Sequence, residues 1–342
     1  MPKVKVSQQD KALRIGIDLG TSRSAVAASN GKRRWVRSLV GWPKDFVARK
    51  MLGDRVLFGD EVNEHRLSLD VVRPLAQGVI KSGTEKDEES VAELIGHLIS
   101  LVEPRPRQKI YAAVGVPAEA LKVNKQAIRQ AISDYAEKLI VVSEPFAVAY
   151  GMGALDNAMI IDIGAGTVDF CIMHGTMPSV DDQRSLTTAG DHIDEQLLGL
   201  LTERYPDADF NMNIIRAFKE EHGFVGDSLT QVEVEARVEG RPVILDITNE
   251  MRRACESILP AIAETAMDMI ARFDPEYQDQ VRNNIILAGG GSQIVGIDTY
   301  LAEALSEMGP CNVSVVDDPL YAGAKGGLAL AKDMPYEYWM DM

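Results

Sequence analysis

The apolar residues of this 342-residue chain follow two alternating patterns. Residues 12–29 and 109–117 contain short, nearly continuous apolar runs, which are typical of buried strands. Residues 83–103 instead place apolar side chains at positions 91, 94, 95, 98, 99 and 102, the spacing of one helix face. Because strands alternate with helices along the chain, the pattern predicts an α/β fold.

The same patterns predict the remaining elements. Further helices are expected at 124–139, 191–204, 211–222, 249–273 (with a kink or break at Pro260) and 322–331. A hairpin is expected at 230–248, a strand leading into a helix at 140–153, a strand, glycine loop and helix at 283–308, and a short strand at 313–316.

Two segments repeat one pattern: an apolar strand that reaches an aspartate, a glycine turn with hydroxyl residues, and a second apolar strand. They are IGIDLGTSRSAVAAS at 15–29 and IIDIGAGTVDFCIM at 160–173. Asp18 and Asp162 hold the matching positions, 144 residues apart. The repeat indicates an internal duplication, with one such turn in each half of the molecule.

Both turns have the composition of a phosphate-binding loop. Glycine lets the backbone approach an anion and direct N–H groups at it. An aspartate beside a polyphosphate requires a cation between them, and Mg²⁺ is commonly bound by carboxylates, phosphates and water. We therefore predict that Asp18 and Asp162 hold, through water, the Mg²⁺ of a bound nucleotide. The phosphate-binding residues predicted by this pattern are Gly20, Thr21, Ser22, Gly164, Ala165, Gly166 and Thr167. The alternative is that each aspartate only caps an ordinary turn.

A third acidic residue, Glu144, lies in VVSEPF at 141–146, where a buried strand meets a helix that Pro145 helps to start. A residue before proline is disfavoured in the helical region, so Glu144 is expected just outside the helix. A buried carboxylate is costly without partners or a role. Its predicted role is to orient or deprotonate the water that attacks a γ-phosphate. The alternative is a helix N-cap.

A glycine triplet follows a predicted strand in LAGGGSQIVG at 287–296. Such a loop permits close approach of a nucleoside, and Gly289, Gly290, Gly291 and Ser292 are the residues expected to provide it. Neither the P-loop spacing nor the dinucleotide-binding pattern is present, since residues 164–169 read Gly-Ala-Gly-Thr-Val-Asp.

The charge balance narrows the function classes. The formal net charge is −15, which argues against nucleic-acid binding. Residues 1–60 carry a net +8 and the remainder −23, an asymmetry that favours head-to-tail association of copies. The alternative is that charged loops, such as Lys32 to Arg34, are only solvated. The three cysteines have no metal-ligand spacing, and the sequence shows neither a secretion signal nor a membrane span. These features predict a cytoplasmic protein without direct membrane insertion.

These motifs, in this order, resemble the actin-like ATPase superfamily. The glutamate before proline in SEPFAVAYG is similar to the bacterial filament-forming actins of the MreB type. Longer stretches, such as GWPKDFVARKMLG and FDPEYQ, are similar to the magnetosome-associated branch of that family. The resemblance implies two lobes, built from duplicated ribonuclease-H-like cores, around a nucleotide cleft.

The resemblance also implies how the chain is divided. Each lobe has an inner and a smaller outer subdomain. The expected ranges are 1–34, 76–155 and 318–342 for inner lobe I, 35–75 for outer lobe I, 156–191 and 251–317 for inner lobe II, and 192–250 for outer lobe II. The tail YEYWMDM is expected to pack on the first lobe.

The activity implied by the resemblance is ATP hydrolysis, with ATP or ADP and Mg²⁺ bound and with Glu144 and Asp162 as catalytic residues. Family members commonly direct a glutamate and a lysine at the nucleoside. Here Arg216 and Lys219 occupy those positions, so only Lys219 is carried over. The implied partners are further copies of the chain, in a head-to-tail filament, and an adaptor on an organelle membrane, with magnetosomes as the expected organelle.

Three other functions remain open on the sequence. A chaperone-type ATPase is expected to carry a peptide-binding domain after this core, and the sequence continues only about 50 residues past the glycine loop. A sugar or acid kinase would place a substrate hydroxyl where the family places water. A nucleotide-binding scaffold without activity would not need a carboxylate at Glu144.

Overall fold

The computed structural model describes residues 12–81, 84–118, 125–227 and 231–342. The contacts divide the chain into two compact units, 1–155 with 320–342, and 156–319. We call them unit 1 and unit 2 and describe each by itself. The finer division into inner and outer subdomains stays a prediction.

Unit 1 is built on a six-stranded sheet with the order β19-β10-β9-β1-β2-β3. These strands are β1 (Leu13–Leu19), β2 (Arg23–Ala28), β3 (Arg33–Arg37), β9 (Ile110–Val116), β10 (Lys138–Ser143) and β19 (Met340–Asp341). β1, β9 and β10 run parallel, while β2, β3 and β19 are antiparallel to their neighbours. The helices of this unit are α1 (Phe46–Leu52), α2 (Asp60–His65), α3 (Glu85–Leu101), α4 (Lys125–Ile132), α5 (Glu144–Met152) and α12 (Ala322–Asp333).

The central strand β1 is buried on both faces. Ile15 and Ile17 belong to the core that α3 and α4 complete. Gly16 points to the opposite face, where α12 lies so close that a Cβ atom would be 2.1 Å from the backbone O of Ala324. Only glycine permits this approach, and it places α12 against the strand that contains Asp18.

The insert between β3 and α3 forms smaller sheets. β4 (Val40–Pro43) pairs with β5 (Leu57–Phe58) and β6 (Leu69–Val72), and β7 (Leu75–Ala76) pairs with β8 (Val79–Ile80). Its own core consists of Leu57, Val62 and Leu69. A core this small leaves much of the insert's surface exposed.

Unit 2 is built on a five-stranded sheet with the order β13-β12-β11-β17-β18. The strands are β11 (Asp156–Ile163), β12 (Val168–His174), β13 (Gln183–Leu186), β17 (Ile285–Ala288) and β18 (Val313–Val315). A second sheet joins β14 (Ala208–Asp209), β15 (Glu233–Val238) and β16 (Arg241–Asp246). The helices are α6 (Gly190–Arg204), α7 (Met212–His222), α8 (Thr248–Glu256), α9 (Leu259–Arg272), α10 (Gln278–Arg282) and α11 (Ile297–Leu305).

Most predicted elements are confirmed, and two differ. The helix predicted at 124–139 ends at Ile132, because Lys138 to Ser143 form a fully buried strand. The helix predicted at 249–273 is two helices, and Pro260 lies in the first turn of the second, where its missing N–H costs no hydrogen bond. Among the described residues, every helix is too short or too polar to cross a bilayer.

The C-terminal tail packs on unit 1, as predicted. Met340 pairs with Leu139 at the sheet edge, and the Trp339 ring lies 5.4 Å from the Tyr111 ring. Lys138 Nζ lies 4.3 Å from the centre of the Tyr336 ring. Trp339 and Tyr336 therefore pack on residues of β9 and β10.

Candidate functional site

The first predicted phosphate loop is the turn between β1 and β2, where Asp18 lies opposite Ala25. A Cβ on Gly20 would be 2.6 Å from the backbone O of Arg23, so this turn requires glycine. Ser38 Oγ donates a 2.6 Å hydrogen bond to the backbone O of Gly20, and the backbone N of Ser38 donates to the O of Ser22. Thr21, in the same turn, is buried. The loop is therefore held by hydrogen bonds from outside the hairpin.

Asp18 and Glu144 are brought together in unit 1. Burial raises the pKa of Asp18 to about 6, and a hydrogen bond from the side chain of Glu144 opposes part of that rise. Gly323, at the start of α12, borders the same carboxylate: a Cβ there would be 2.5 Å from Oδ2 of Asp18. Gly323 was not singled out from the sequence, although the glycine-rich AGAKGG indicates a close helix contact.

Glu144 lies at the junction of β10 and α5. Its side chain is buried, with 7% exposed, between a sheet edge and a helix start. Helix α5 begins at Glu144 and Ser143 is the N-cap residue, so both the expected position outside the helix and the N-cap alternative are wrong. A proline at the second helical position is compatible with this start because the first turn needs no N–H from it.

The second predicted phosphate loop joins β11 and β12, with Asp162 opposite Asp169. The backbone N of Gly164 donates to the O of Thr167 at 2.9 Å and closes the turn. Thr167 Oγ1 donates to Oδ2 of the buried Asp169 at 2.7 Å, and Ser185 Oγ donates to the other oxygen. The Thr167 hydroxyl thus has a partner within the protein, and its oxygen can still accept a bond.

Two backbone hydrogen bonds connect the start of α6 to this loop. The backbone N of Gly190 donates to the O of Gly164, and the N of Asp191 donates to the O of Ala165 at 2.7 Å. A Cβ on Gly190 would be 3.0 Å from the O of Gly164. Gly190 was not singled out from the sequence, where the glycine just before the helix in TTAGDHID is the available signal.

Lys219 lies beside the second loop. Its Nζ donates to the backbone O of Gly190 at 2.7 Å and is 2.6 Å from Oδ1 of Asp194, which has no exposed surface. Nε of Arg216 lies 3.1 Å from the other oxygen of Asp194. Burial raises the pKa of Asp194, and the two cations offset part of the rise. Asp194 was not singled out from the sequence, because only packing brings α6 and α7 together.

The glycine triplet follows β17 directly and lies against β11. Gly289 has a φ of +76°, and a Cβ there would be 2.3 Å from Oδ1 of Asp162. A Cβ on Gly291 would be 2.3 Å from Cγ2 of Ile163, whereas Gly290 has open space around its Cα. Ser292 Oγ donates to the O of Gly289 at 2.7 Å. The triplet is therefore adjacent to Asp162 within unit 2.

Each unit thus contains part of the set of residues predicted to bind the nucleotide. Unit 1 gathers Asp18, Gly20 to Ser22 and Glu144. Unit 2 gathers Asp162, Gly164 to Thr167, Lys219 and Gly289 to Ser292. The described residues include no group of three His, Cys, Asp or Glu side chains suited to a metal ion. A cation held here would need oxygen ligands from a substrate or water, the coordination that Mg²⁺ often has in nucleotide sites.

The chain is similar to known proteins over most of its length. The family model described as MreB/Mbl protein matches residues 12–337. The actin-like protein MamK of Paramagnetospirillum magneticum is 41% identical over 335 residues, covering 98% of this chain and 96% of that protein. The cell shape-determining protein Mbl of Bacillus subtilis is 25% identical over 337 residues, covering 91% of this chain and 93% of Mbl.

Solved structures of relatives are similar throughout the chain. The MamK double helical filament superposes with a TM-score of 0.92 at 41% identity, covering 95% of this chain and all of that one. A non-polymerising MamK mutant bound to AMPPNP superposes with a TM-score of 0.74 at 41% identity, covering 94% of this chain and 99% of that one.

Proposed function

This chain belongs to the MreB/Mbl family of bacterial actin-like proteins, and from that premise we propose that it is a filament-forming ATPase. ATP binding drives its polymerisation, and hydrolysis to ADP and phosphate promotes disassembly. The filament organises or positions an intracellular organelle, and the identity to MamK supports the magnetosome as that organelle.

The observation that carries the ATPase proposal is the contact between Asp18 and Glu144 beside a glycine-enforced turn. A buried pair of carboxyl groups costs folding free energy, because each loses its hydration. A cation bound between these carboxyl groups and a polyphosphate would offset that cost. In this proposal Glu144 orients the water that attacks the γ-phosphate, and Asp162 has the matching position in unit 2.

The residues of both turns fit a magnesium–nucleotide complex. A Cβ at Gly20 would be 2.6 Å from the O of Arg23, and one at Gly164 would be 3.0 Å from the O of Thr167, so both tight turns favour glycine. The backbone of such a turn can direct N–H groups at phosphate oxygens. Asp18 and Asp162 would hold Mg²⁺ through its water ligands, and the ion would neutralise phosphate charge. Lys219 adds a cation beside the second loop.

The nucleoside contacts are proposed for Gly289 to Ser292. Gly290 is the exposed member of the triplet, with no atom within 4 Å of where a Cβ would stand. The binding of AMPPNP by the MamK mutant supports an adenine nucleotide as the ligand. The solved MamK filaments support self-association as the assembly mode.

The cellular context follows from the same proposal. The filaments lie in the cytoplasm, and an adaptor protein on the organelle membrane connects them to their cargo. The acidic net charge of −15 opposes direct binding to nucleic acid or to an anionic lipid surface.

Sedimentation and negative-stain microscopy test the proposal on the purified protein, with no nucleotide, Mg·ADP or Mg·ATP. We expect filaments that pellet with Mg·ATP. Glu144→Gln should still polymerise, release phosphate at least about 100-fold more slowly, and disassemble slowly, because catalytic acid–base groups contribute on that order. Glu137→Gln, which removes an exposed carboxylate paired with Lys109, is the matched control and should behave as wild type.

Two results would contradict the proposal. If the protein binds ATP but forms no polymer across salt and protein concentration, self-assembly is wrong, and a screen of sugars and carboxylic acids as phosphate acceptors would follow. If Glu144→Gln hydrolyses ATP at the wild-type rate while folded by circular dichroism, the role assigned to Glu144 is wrong.

A further inference from the structure

Two pairs of opposite charge face each other between α6 and α7 of unit 2. Asp191 and Asp194 are three residues apart on α6, and Arg216 and Lys219 are three residues apart on α7, so each pair lies on one face of its helix. Nη2 of Arg216 donates to Oδ1 of Asp191 at 3.2 Å, and Nε of Arg216 lies 3.1 Å from Oδ2 of Asp194. Arg216 therefore contacts both acids.

Neutralising Asp194 explains only one of the two contacts of Arg216. Lys219 already lies 2.6 Å from Oδ1 of Asp194, so this buried carboxylate has a cation on each side. The side chain of Asp191 is 33% exposed, and water can hydrate it without help from a guanidinium. The hydrogen bond from the nearly buried Arg216 to Asp191 thus has a role other than compensating a buried charge.

The backbone of Asp191 is bonded to the second phosphate loop. Its N–H donates to the O of Ala165 at 2.7 Å, and the N–H of Gly190 donates to the O of Gly164 at 3.1 Å. Both N–H groups belong to the first turn of α6, where backbone donors have no acceptor within the helix. The position of the helix start therefore sets the position of two carbonyl groups of the loop.

These two bonds orient the peptide groups of the loop. The chain has no cis peptide bond among its described residues, and a trans peptide directs its N–H opposite to its C=O. Because the O atoms of Gly164 and Ala165 face α6, the N–H groups of Ala165 and Gly166 point away from it. Neither N–H donates within the described part of the chain, and Gly166 is buried. A buried donor without an acceptor is costly, so both N–H groups suit the phosphate oxygens of a ligand.

We propose that Arg216 is a positioning residue for the second phosphate loop. It holds Asp191, and with it the start of α6, where the two peptide groups of the loop direct their N–H groups at phosphate. Arg216 itself contacts no ligand in this role. The proposal rests on the proposed nucleotide binding. It also gives a function to a position where family members commonly direct a glutamate at the nucleoside, since a guanidinium only donates hydrogen bonds.

Arg216→Gln removes the charge and the donor that hold Asp191. We expect the Kd for Mg·ATP and for Mg·ADP to rise at least about tenfold, because both ligands use the N–H groups of the loop. The kcat at saturating ATP should change less than about threefold while KM rises, since bonds made equally in the ground and transition states affect KM alone. A residue that only stabilised the fold would leave Kd and KM of the folded protein unchanged.

Titration calorimetry measures the Kd values at a protein concentration below that at which wild type pellets, so that polymerisation does not contribute. Phosphate release as a function of ATP concentration gives KM and kcat, and circular dichroism shows that each variant is folded. Arg204→Gln is the matched control. It removes another arginine of unit 2, which is paired with Glu250 at the far end of α6, and should bind ATP as wild type.

A double-mutant cycle tests the contact itself. Asp191→Asn removes the charged acceptor of Arg216 but keeps the backbone N–H that donates to Ala165, and it should raise the Kd for Mg·ATP in the same direction. The combined variant should bind within about twofold of Arg216→Gln alone, because the two side chains act through one contact. Arg216→Lys, which keeps the charge but not the planar fork, should lose less affinity than Arg216→Gln. Since Asp191 is partly exposed, its variant tests the proposal even if Arg216→Gln does not fold.

The outcomes separate this inference from the proposed function. If wild type does not bind Mg·ATP, both are wrong. If wild type binds and hydrolyses ATP while folded Arg216→Gln has the wild-type Kd, only the role of Arg216 is wrong. If the losses of Arg216→Gln and Asp191→Asn multiply in the combined variant, their contact does not carry the effect and the proposal is overturned. A fall in kcat with an unchanged KM would overturn it as well, because Arg216 would then act on the transition state alone.

Discussion

Nζ of Lys219, on α7, lies 2.6 Å from Oδ1 of Asp194, a fully buried carboxylate on α6. The same ammonium donates to the backbone O of Gly190, whose own N–H donates to Gly164 in the second loop. One chain of polar contacts therefore connects α7 to the turn predicted to bind phosphate. Lys219 is placed by a buried charge on another helix, and its own sequence neighbours do not determine its position.

Asp194→Asn removes the charge that Lys219 and Arg216 share. The raised pKa of Asp194 means that burial costs its charge more than the two cations return, so the free energy of unfolding should not fall at pH 7. The affinity for ATP should fall, because Lys219 loses its position beside Gly190. Urea denaturation and nucleotide titration measure the two effects. Asp268→Asn, which breaks the exposed pair with Arg272, is the control and should change neither.

Gly289→Ala and Gly290→Ala form a matched pair. At Gly289 an added Cβ would be 2.3 Å from Asp162 Oδ1 and 2.5 Å from the O of Ile163, on a backbone with φ of +76°, whereas at Gly290 it would meet nothing within 4 Å. We expect Gly289→Ala to destabilise the fold by about 1–3 kcal/mol and to weaken nucleotide binding, because Asp162 and the backbone of Ile163 must move. Thermal unfolding and ATP titration test this; equal behaviour of the two variants would exclude the close contact.

The raised pKa of Asp18 has a defined consequence for the protein without nucleotide or Mg²⁺. A carboxyl whose pKa is about 6 when folded and 3.8 when unfolded stabilises the fold most below pH 3.8, and that contribution is lost as pH rises through 6. At pH 7.5 the buried charge opposes folding. Asp18→Asn should therefore be more stable than wild type at pH 7.5, by on the order of 2 kcal/mol.

The pH dependence of this gain in stability shows whether the charge of Asp18 is its cause. The advantage of Asp18→Asn should shrink as the pH falls from 7 to 4, because wild-type Asp18 becomes neutral over that range. Urea denaturation in the presence of a chelator measures it. A gain that is constant with pH would show that burial of the charge is not its cause. A loss at pH 7.5 would show that the carboxylate has stabilising partners.

Replacing the tail residues Trp339 and Tyr338 with alanine should have different effects on stability. Trp339 is 7% exposed, packs on Tyr111, and donates from Nε1 to the O of Met334, whereas Tyr338 is 68% exposed. Trp339→Ala should lower the free energy of unfolding by about 3 kcal/mol, as large aromatic deletions in packed sites do. Tyr338→Ala should be close to neutral. Comparable losses in the two variants would contradict the observed packing of the tail.

The α/β class, most elements and the two Asp-containing turns could be predicted from the sequence alone. These features depend on local chemistry: apolar period, glycine at tight turns and proline at a helix start. Asp18 and Asp162 could be paired from the sequence because a duplicated hairpin carries its own signature. The glycine triplet could be placed after a strand for the same reason.

Tertiary structure decided what depends on contacts between distant segments. The end of α4 at Ile132 follows from the burial of Lys138 to Ser143 in a sheet, which local helix propensity does not indicate. Gly323 borders Asp18 only because α12 packs on β1, and Asp194 meets Lys219 only because α6 and α7 pack together. The packing of whole elements brings together side chains that are far apart in the chain. The residues next to each side chain in the sequence do not indicate which distant residue it will contact.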